Sequence, residues 1–216
     1  MAPGNTMETG TVPTLVRDKL LYRPTSWVEP LDVAAIFPGG GPLEVELGSG
    51  DGSFLVAWAR QHPERSFLGV ERLLGRIRKL DRKAQRAGLE NVRGLRIEAS
   101  YCLEYLLPES ALSALHVYFP DPWPKRRHWK NRLVNERFVE LAARALAPGG
   151  RVHLRTDNPP YHAEMRRVFS VVPGFREEPT PEALAAVVTD FEREFQAQGI
   201  PTQRATYANL KAVTHR

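Results

Sequence analysis

The residues best placed to do chemistry lie in Phe119-Pro120-Asp121-Pro122-Trp123-Pro124-Lys125. Three prolines fix the backbone and remove donors, so Asp121 is a carboxylate held rigidly beside an indole and a basic run. Such a group can stabilise developing positive charge or accept hydrogen bonds from a substrate edge. A structural role, capping the turn that follows, is the alternative for Asp121. A second constellation is Glu46-Leu47-Gly48-Ser49-Gly50-Asp51-Gly52. Its glycines allow a tight turn and a close ligand approach. Their spacing is Gly-x-Gly-x-Gly, not the Gly-x-Gly-x-x-Gly of dinucleotide sites. Glu46, two residues before Gly48, suits a ligand that carries a cation better than one that carries a pyrophosphate. S-adenosylmethionine is such a ligand, with its ammonium and sulfonium groups. Glu71 is placed to accept from two ribose hydroxyls, and Glu98-Ala99-Ser100 could meet an adenine amino group.

The elements that must position these groups alternate. Strands are expected at Leu43–Leu47, Ser66–Val70, Val92–Ala99, Ala114–Phe119 and Arg151–Thr156. Helices are expected at Ser53–Gln61, Leu73–Ala87, Cys102–Leu107, Asn135–Leu146 and Tyr161–Val171. Trp27–Phe37 reads as a short amphipathic stretch. The helix from Asn135 is expected to close at Pro148-Gly149-Gly150, and Pro181–Gln198 reads as one amphipathic helix. Strand–helix alternation with Gly or Pro at the joints predicts an α/β fold, a mostly parallel sheet with helices on both faces. Ligands of such sheets bind outside the carboxyl ends of the strands, where both constellations fall.

The chain has 216 residues, enough for one domain with its own core. Residues 1–14 are expected to be disordered and residues 15–216 to form the single domain. One cysteine, Cys102, excludes an intrachain disulfide and a cysteine-based zinc knuckle. His153 and His162 read as structural, and no metal is expected. No apolar run approaches the ~20 residues of a membrane span, and the first residues lack a secretory pattern. The expected location is the cytoplasm, as a monomer or homodimer. The net charge of +5 is modest, but the positive charge is clustered. Arg72–Arg86 holds seven basic residues and one acid, and Lys125–Arg132 holds five basic residues and one histidine. Such clusters suit a polyanion; for Arg72–Arg86 a solvated helix face explains the pattern equally well. His128 and Trp129 can stack on bases, although Trp129 also suits a core.

Phe-Pro-Asp-Pro-Trp followed by Lys125-Arg126-Arg127-His128-Trp129-Lys130-Asn131-Arg132 resembles the bacterial tRNA guanine-N7 methyltransferases. Glu46-Leu47-Gly48-Ser49-Gly50, Gly69-Val70-Glu71, Thr156-Asp157-Asn158 and Thr189-Asp190-Phe191-Glu192 extend the likeness over most of the chain. The resemblance implies a Rossmann-like class I methyltransferase fold, S-adenosylmethionine as donor, and N7 of the variable-loop guanosine at tRNA position 46 as acceptor. It implies that Glu46, Gly48, Gly50, Glu71, Glu98 and Asp121 meet the cofactor, with Asp121 catalytic. Lys125, Asp157, Thr189, Asp190, Phe191 and Glu192 would meet the substrate, and Arg127, His128, Lys130 and Arg132 the RNA. Two positions depart from the family pattern: Glu98 where Asp is usual, and Asp190 where Lys or Arg is usual. The other readings are a methyltransferase acting on another RNA, on a small molecule or on a protein, and a non-catalytic RNA-binding protein with a methyltransferase-like fold.

Overall fold

The computed structural model describes residues 16–211. The expected disordered tail, residues 1–14, lies outside the described residues. Eight strands form one sheet in the order β1-β4-β3-β2-β5-β6-β8-β7. They are β1 (Leu21–Tyr22), β2 (Leu43–Leu47), β3 (Ser66–Val70), β4 (Val92–Leu95), β5 (Leu112–Tyr118), β6 (Leu146–Thr156), β7 (Phe175–Glu178) and β8 (Gln203–Asn209). All pairs from β1 to β6 are parallel; β8 runs antiparallel to both β6 and β7. The helices are α1 (Val33–Ile36), α2 (Ser53–Gln61), α3 (Leu74–Arg86), α4 (Ala99–Tyr101), α5 (Glu136–Ala145), α6 (Pro159–Val171), α7 (Glu182–Ala186) and α8 (Asp190–Ala197). Strand order reverses at β2, with β3 on one side and β5 on the other. That reversal opens a crevice at the carboxyl ends of β2 and β5.

The two faces of the sheet differ chemically. Val45, Leu47, Leu115, Val117, Val152 and Leu154 join the apolar core that also takes Phe138, Met165 and Phe169 from α5 and α6. Alternation sends Glu44, Glu46, His116, Tyr118, His153 and Arg155 to the opposite face, under α2, α7 and α8. Glu46, His116, His153 and Thr206 occupy one rung across four strands, and Tyr118, Arg155 and Arg204 occupy the next. Buried polar groups need partners, and most of these have them, Glu46 excepted. Glu44 accepts from Trp58 Nε1 (2.9 Å), Arg65 (2.6 Å) and His116 Nε2 (2.8 Å). Burial raises its pKa, but His116, Arg65 and Trp58 together outweigh that and hold it at about 2. His116 Nδ1 lies 2.8 Å from the Tyr118 hydroxyl.

Several expected elements are corrected. Strand β4 stops at Leu95, because Glu98 turns the chain by capping α4 through the Tyr101 N–H. The helix expected at Cys102 begins at Ala99 and continues as a π turn over Cys102–Leu106. Residues 147–150 do not simply end a helix. They form an excursion inside β6, whose pairing passes from Leu112↔Leu146 to Ala114↔Arg151. The expected helix Pro181–Gln198 breaks into α7 and α8, because the Thr189 side chain accepts from the Glu192 N–H and the Glu192 carboxylate accepts from the Thr189 N–H. Strands β1, β7 and β8 were not foreseen.

Gly52 turns the chain into α2 at φ +78°, and a Cβ there would sit 2.6 Å from Leu80 Cγ on α3. Gly52→Ala combines positive-φ strain with overpacking, each ~1–2 kcal/mol. Urea unfolding should therefore show a loss of ~2 kcal/mol or more, at unchanged denaturant slope. A variant as stable as the parent would mean that α2 and α3 are not in firm contact at this turn.

Candidate active site

Between β2 and α2, the Gly48 and Ser49 N–H groups both donate to Val70 O, at 2.8 and 2.9 Å. The turn is thereby tied to β3. Gly48 and Gly50 have φ of +80° and +56°, and a Cβ on either would meet open space. The loop thus presents bare backbone toward the crevice. Glu46 lies beneath it, 4% exposed, and its Oε2 has no hydrogen-bond partner. Burial raises its pKa well above the usual carboxylate range; Arg155 opposes this, and Asp51 and Glu71 add to it. An unpartnered buried carboxylate under an open glycine cradle fits a ligand that brings a cation. Glu71, at the end of β3, is also buried, and its Oε1 accepts from the Leu73 N–H at 2.8 Å. Glu98 is exposed three residues beyond β4, at the cap of α4. Burial of part of it raises its pKa, but bonds from the Tyr101 and Ser100 backbone and the Ser100 hydroxyl prevail and lower it. Its carboxylate is thus already engaged in capping.

Asp121 is exposed on the loop that leaves β5. The loop is strained at two bulky residues: Phe119 has φ +51° and Trp123 has φ +43°. Conformations of that kind persist only where surrounding structure imposes them, and they concentrate at functional sites. Here the imposing groups are visible. The Phe119 N–H donates to Arg155 O (2.8 Å), and Arg132 Nε donates to Pro122 O (2.8 Å). The Arg132 guanidinium lies between two rings, 4.5 Å from Trp129 and 4.6 Å from Tyr161. Tyr161 is completely buried, and its hydroxyl accepts from the Val134 N–H at 3.1 Å. Burial pushes its pKa to about 12, and the nearby Asp121 charge adds to the rise.

This placement corrects the expectation for Arg132: only 6% exposed, it braces the loop from behind instead of facing RNA. Lys125, Arg127 and Lys130 are exposed on or beside a 3₁₀ turn over Arg126–Asn131, and His128 packs edge-on against Trp123 at 5.7 Å. Trp129 is 42% exposed, so it is not a core residue. Asp157 is half-buried at the end of β6, next to Asn158, whose side chain caps α6.

Helix α8, which begins in the Thr189–Glu192 segment, reaches the site through two contacts. Phe119 lies 6.3 Å from Phe191 and 5.7 Å from Phe195, centroid to centroid. Within the segment the roles divide. Phe191 is 45% exposed, whereas Thr189 and Glu192 are buried in the capping box. Both Glu192 oxygens are occupied, by Arg155 and Arg204 at 2.7 Å each. The Asp190 carboxylate pairs with Lys83 and with Arg193. The structure therefore gives Thr189, Asp190 and Glu192 partners within the protein.

Arg155, which sequence reading overlooked, joins these parts. It is 1% exposed and donates to Leu184 O (2.5 Å), Val187 O (2.7 Å) and Glu192 Oε2 (2.7 Å). Its guanidinium lies 4.2 Å from the Tyr118 ring centre. The available signal was the run of polar residues at period two along strands of a parallel sheet, where both faces are ordinarily apolar. A separate cavity of about 760 Å³ lies at the opposite end of the sheet, near Leu20, Phe37, Arg65 and Asn91, and holds none of these residues. Among the described residues, no group of His, Cys, Asp and Glu is arranged to hold a metal ion, and no helix is long and apolar enough to cross a membrane.

The raised pKa of Glu46 has a testable sign. In the free protein the folded state holds this proton over a pH range where the unfolded chain has lost it, so Glu46 contributes less stability as pH rises from ~4.5. A bound cation favours the ionised form. Binding of S-adenosylmethionine should release a proton, and affinity should rise with pH until Glu46 is ionised in the free protein. Calorimetry in two buffers of different ionisation enthalpy measures the release. Glu46→Gln should abolish it and weaken binding by ~10–100-fold, about 1.4–2.7 kcal/mol. Proton-independent binding by the parent protein would mean that no cation reaches Glu46.

Comparison with known proteins agrees with this geometry. The family described as "Putative methyltransferase" matches residues 41–205. The tRNA (guanine-N(7)-)-methyltransferase of Sodalis glossinidius is 38% identical over 176 residues, covering 79% of this chain and 74% of that protein. The protein of the same name from Syntrophotalea carbinolica is 36% identical over 188 residues, covering 85% and 81%. Among solved structures, the 16S rRNA methyltransferase KamB superposes with a TM-score of 0.59 at 18% identity, covering 84% of this chain and 94% of that one. The 30S ribosomal A1408 methyltransferase from an uncultured bacterium gives 0.58 at 15% identity, covering 82% and 92%. The fold is shared with these last two, and the chain itself belongs to the tRNA (guanine-N(7)-)-methyltransferase family.

Proposed function

We propose that this chain transfers a methyl group from S-adenosylmethionine to N7 of guanosine 46 in the variable loop of tRNA, in the cytoplasm. The observation that carries the reading is Asp121, exposed at the crevice on a strained loop that is braced on both sides. Relatives that bear this activity's name support the acceptor.

S-adenosylmethionine, when bound, supplies an electrophilic methyl carbon. Glu46 would hold its ammonium group above the buried carboxylate, with Gly48 and Gly50 leaving room for the ligand. Glu71 would accept from the ribose hydroxyls and the Glu98 turn would meet the adenine. Guanine N7 carries a free lone pair, so attack needs no general base. It needs in-line placement, worth several kcal/mol of barrier, and an environment that tolerates the cation forming on the ring. Asp121 supplies that environment. Asp121 or Asp157 also accepts from guanine N1–H and N2–H, which adenine cannot offer. Lys125, Arg127, His128 and Lys130 hold phosphates and stack, and Phe191 offers an exposed ring to the splayed base. Thr189 and Glu192 serve the substrate indirectly, by fixing the start of α8.

The test is transfer from labelled S-adenosylmethionine to unmodified tRNA, followed by digestion and mass identification of the nucleoside. The expected product is 7-methylguanosine. Asp121→Ala should lower kcat by ~10³-fold or more, at unchanged cofactor affinity. Arg132→Lys should lower kcat by ~10-fold, because lysine cannot stack between Trp129 and Tyr161 while donating to Pro122. A different methylated nucleoside would overturn the acceptor. Near-parental activity of Asp121→Ala would overturn the catalytic assignment.

A further inference from the structure

Helix α3 carries a stripe of cations that the proposed chemistry leaves unused. Arg76, Lys79, Arg82 and Arg86 are all exposed, and Arg72 is exposed just before the helix. Their spacing of three or four residues puts them along one side of the helix, over ~15 Å from Arg76 to Arg86. The opposite face, Ile77, Leu80 and Ala84, is buried in the core. Two other cations of this helix are neutralised: Arg78 by Asp18, and Lys83 by Asp51 and Asp190. Among the described residues, none of the stripe's five cations forms an ion pair. Lys79 is near enough to Asp51 to help lower its pKa, without pairing with it. Like charges at this spacing repel one another, so the stripe works against the helix that carries it.

Its position relative to the site follows from contacts. α3 begins just beyond Glu71, at the carboxyl end of β3. Lys83 bonds Asp190 of α8, and Phe191 of α8 packs on Phe119. Helix α8 therefore lies between α3 and the Asp121 loop. The stripe and the Lys125–Lys130 turn approach the same crevice from two sides. An anionic membrane is the other polyanion such a stripe could meet. However, the apolar side of α3 is committed to the core, which leaves no face to insert.

We propose that Arg72, Arg76, Lys79, Arg82 and Arg86 form a second docking surface for the sugar–phosphate backbone of the substrate tRNA, separate from the basic turn after Asp121. This rests on the tRNA reading above. Phosphate contacts of this kind position an RNA without reading its sequence. They also contribute a defined share of the salt dependence of binding.

The test is the triple variant Arg76→Gln/Lys79→Gln/Arg82→Gln, compared with the parent in tRNA binding across a salt series, in steady-state methyl transfer and in thermal melting. Expected are a Kd and a KM for tRNA raised ~10-fold or more at moderate salt, and a log–log salt slope reduced by ~2–3. The Tm should be equal or higher, and S-adenosylmethionine affinity unchanged. An unchanged tRNA Kd and slope would overturn the stripe as a docking surface while leaving the activity standing. A stripe-dependent affinity for phosphatidylserine vesicles, with tRNA binding unaffected, would overturn it in favour of a membrane. A parent protein that neither binds nor methylates tRNA would overturn this proposal and the proposed function together.

Discussion

A guanidinium buried beneath two short helices governs much of this structure. Arg155 has almost no contact with solvent, and its charge is met by Glu192, two helix-end carbonyls and the Tyr118 ring. A buried pair of this kind adds little net stability over an apolar substitute, but leaving one member unpaired costs ~3–5 kcal/mol. Its effect is therefore on which arrangement forms. The Leu184 and Val187 carbonyls must point at Arg155, so α7 has to end there. Glu192 must reach the same guanidinium, so α8 has to begin at Thr189. The Phe119 N–H bonds the carbonyl of the same residue, so the exit from β5 is registered to it as well. One residue thereby places the helix carrying Phe191 against the loop carrying Asp121.

The same charge moderates Glu46. Burial alone drives that carboxylate toward its neutral form, and Arg155 pulls in the opposite direction. Neither satisfies the other, since Arg155 Nε and Glu46 Oε2 both lack a hydrogen-bond partner. The result is a carboxylate held short of full compensation, ready to gain from an incoming cation. Preorganisation of this type accounts for a site that is structured before any ligand arrives.

How much of this was legible in the sequence depended on whether the signal was local. The parallel strands β2, β3 and β5, the glycine turn and the Asp121 loop announced themselves through short patterns: apolar runs, glycine spacing and prolines. The antiparallel pair β7 and β8 did not, because β8 reads as mixed polar residues and gains its strand character only from pairing with β6 and β7. Residues whose role depends on distant partners were misplaced or missed for the same reason. Arg132 sits in a basic run and looks like an RNA contact, yet Tyr161, 29 positions along the chain, draws it inward. Glu192 looks like a substrate ligand until Arg155 and Arg204 are found on its two oxygens. The split of α7 from α8 was in principle visible as Thr-x-x-Glu, a capping box signature, but the amphipathic period across the break masked it.

The arrangement of charge also meets a conflict built into the proposed reaction. The donor is cationic and the product base becomes cationic, so the chemistry favours carboxylates. The substrate is a polyanion, which carboxylates repel. The structure separates the two by depth. Glu46 and Glu71 are buried under the sheet's carboxyl end, where they act at short range, and burial raises the pKa of Glu46 well above the usual carboxylate range. The cations of the 3₁₀ turn and of α3 are outermost, where a phosphate backbone would meet them first. Asp121, a carboxylate carried out to the mouth, stands on a loop that is directly followed by Lys125, Arg126 and Arg127. Approaching RNA therefore meets net positive charge at the rim, and only a base turned into the crevice comes within reach of the acids. In the proposed reaction, a preference for an unstacked base then follows from where the charges are placed.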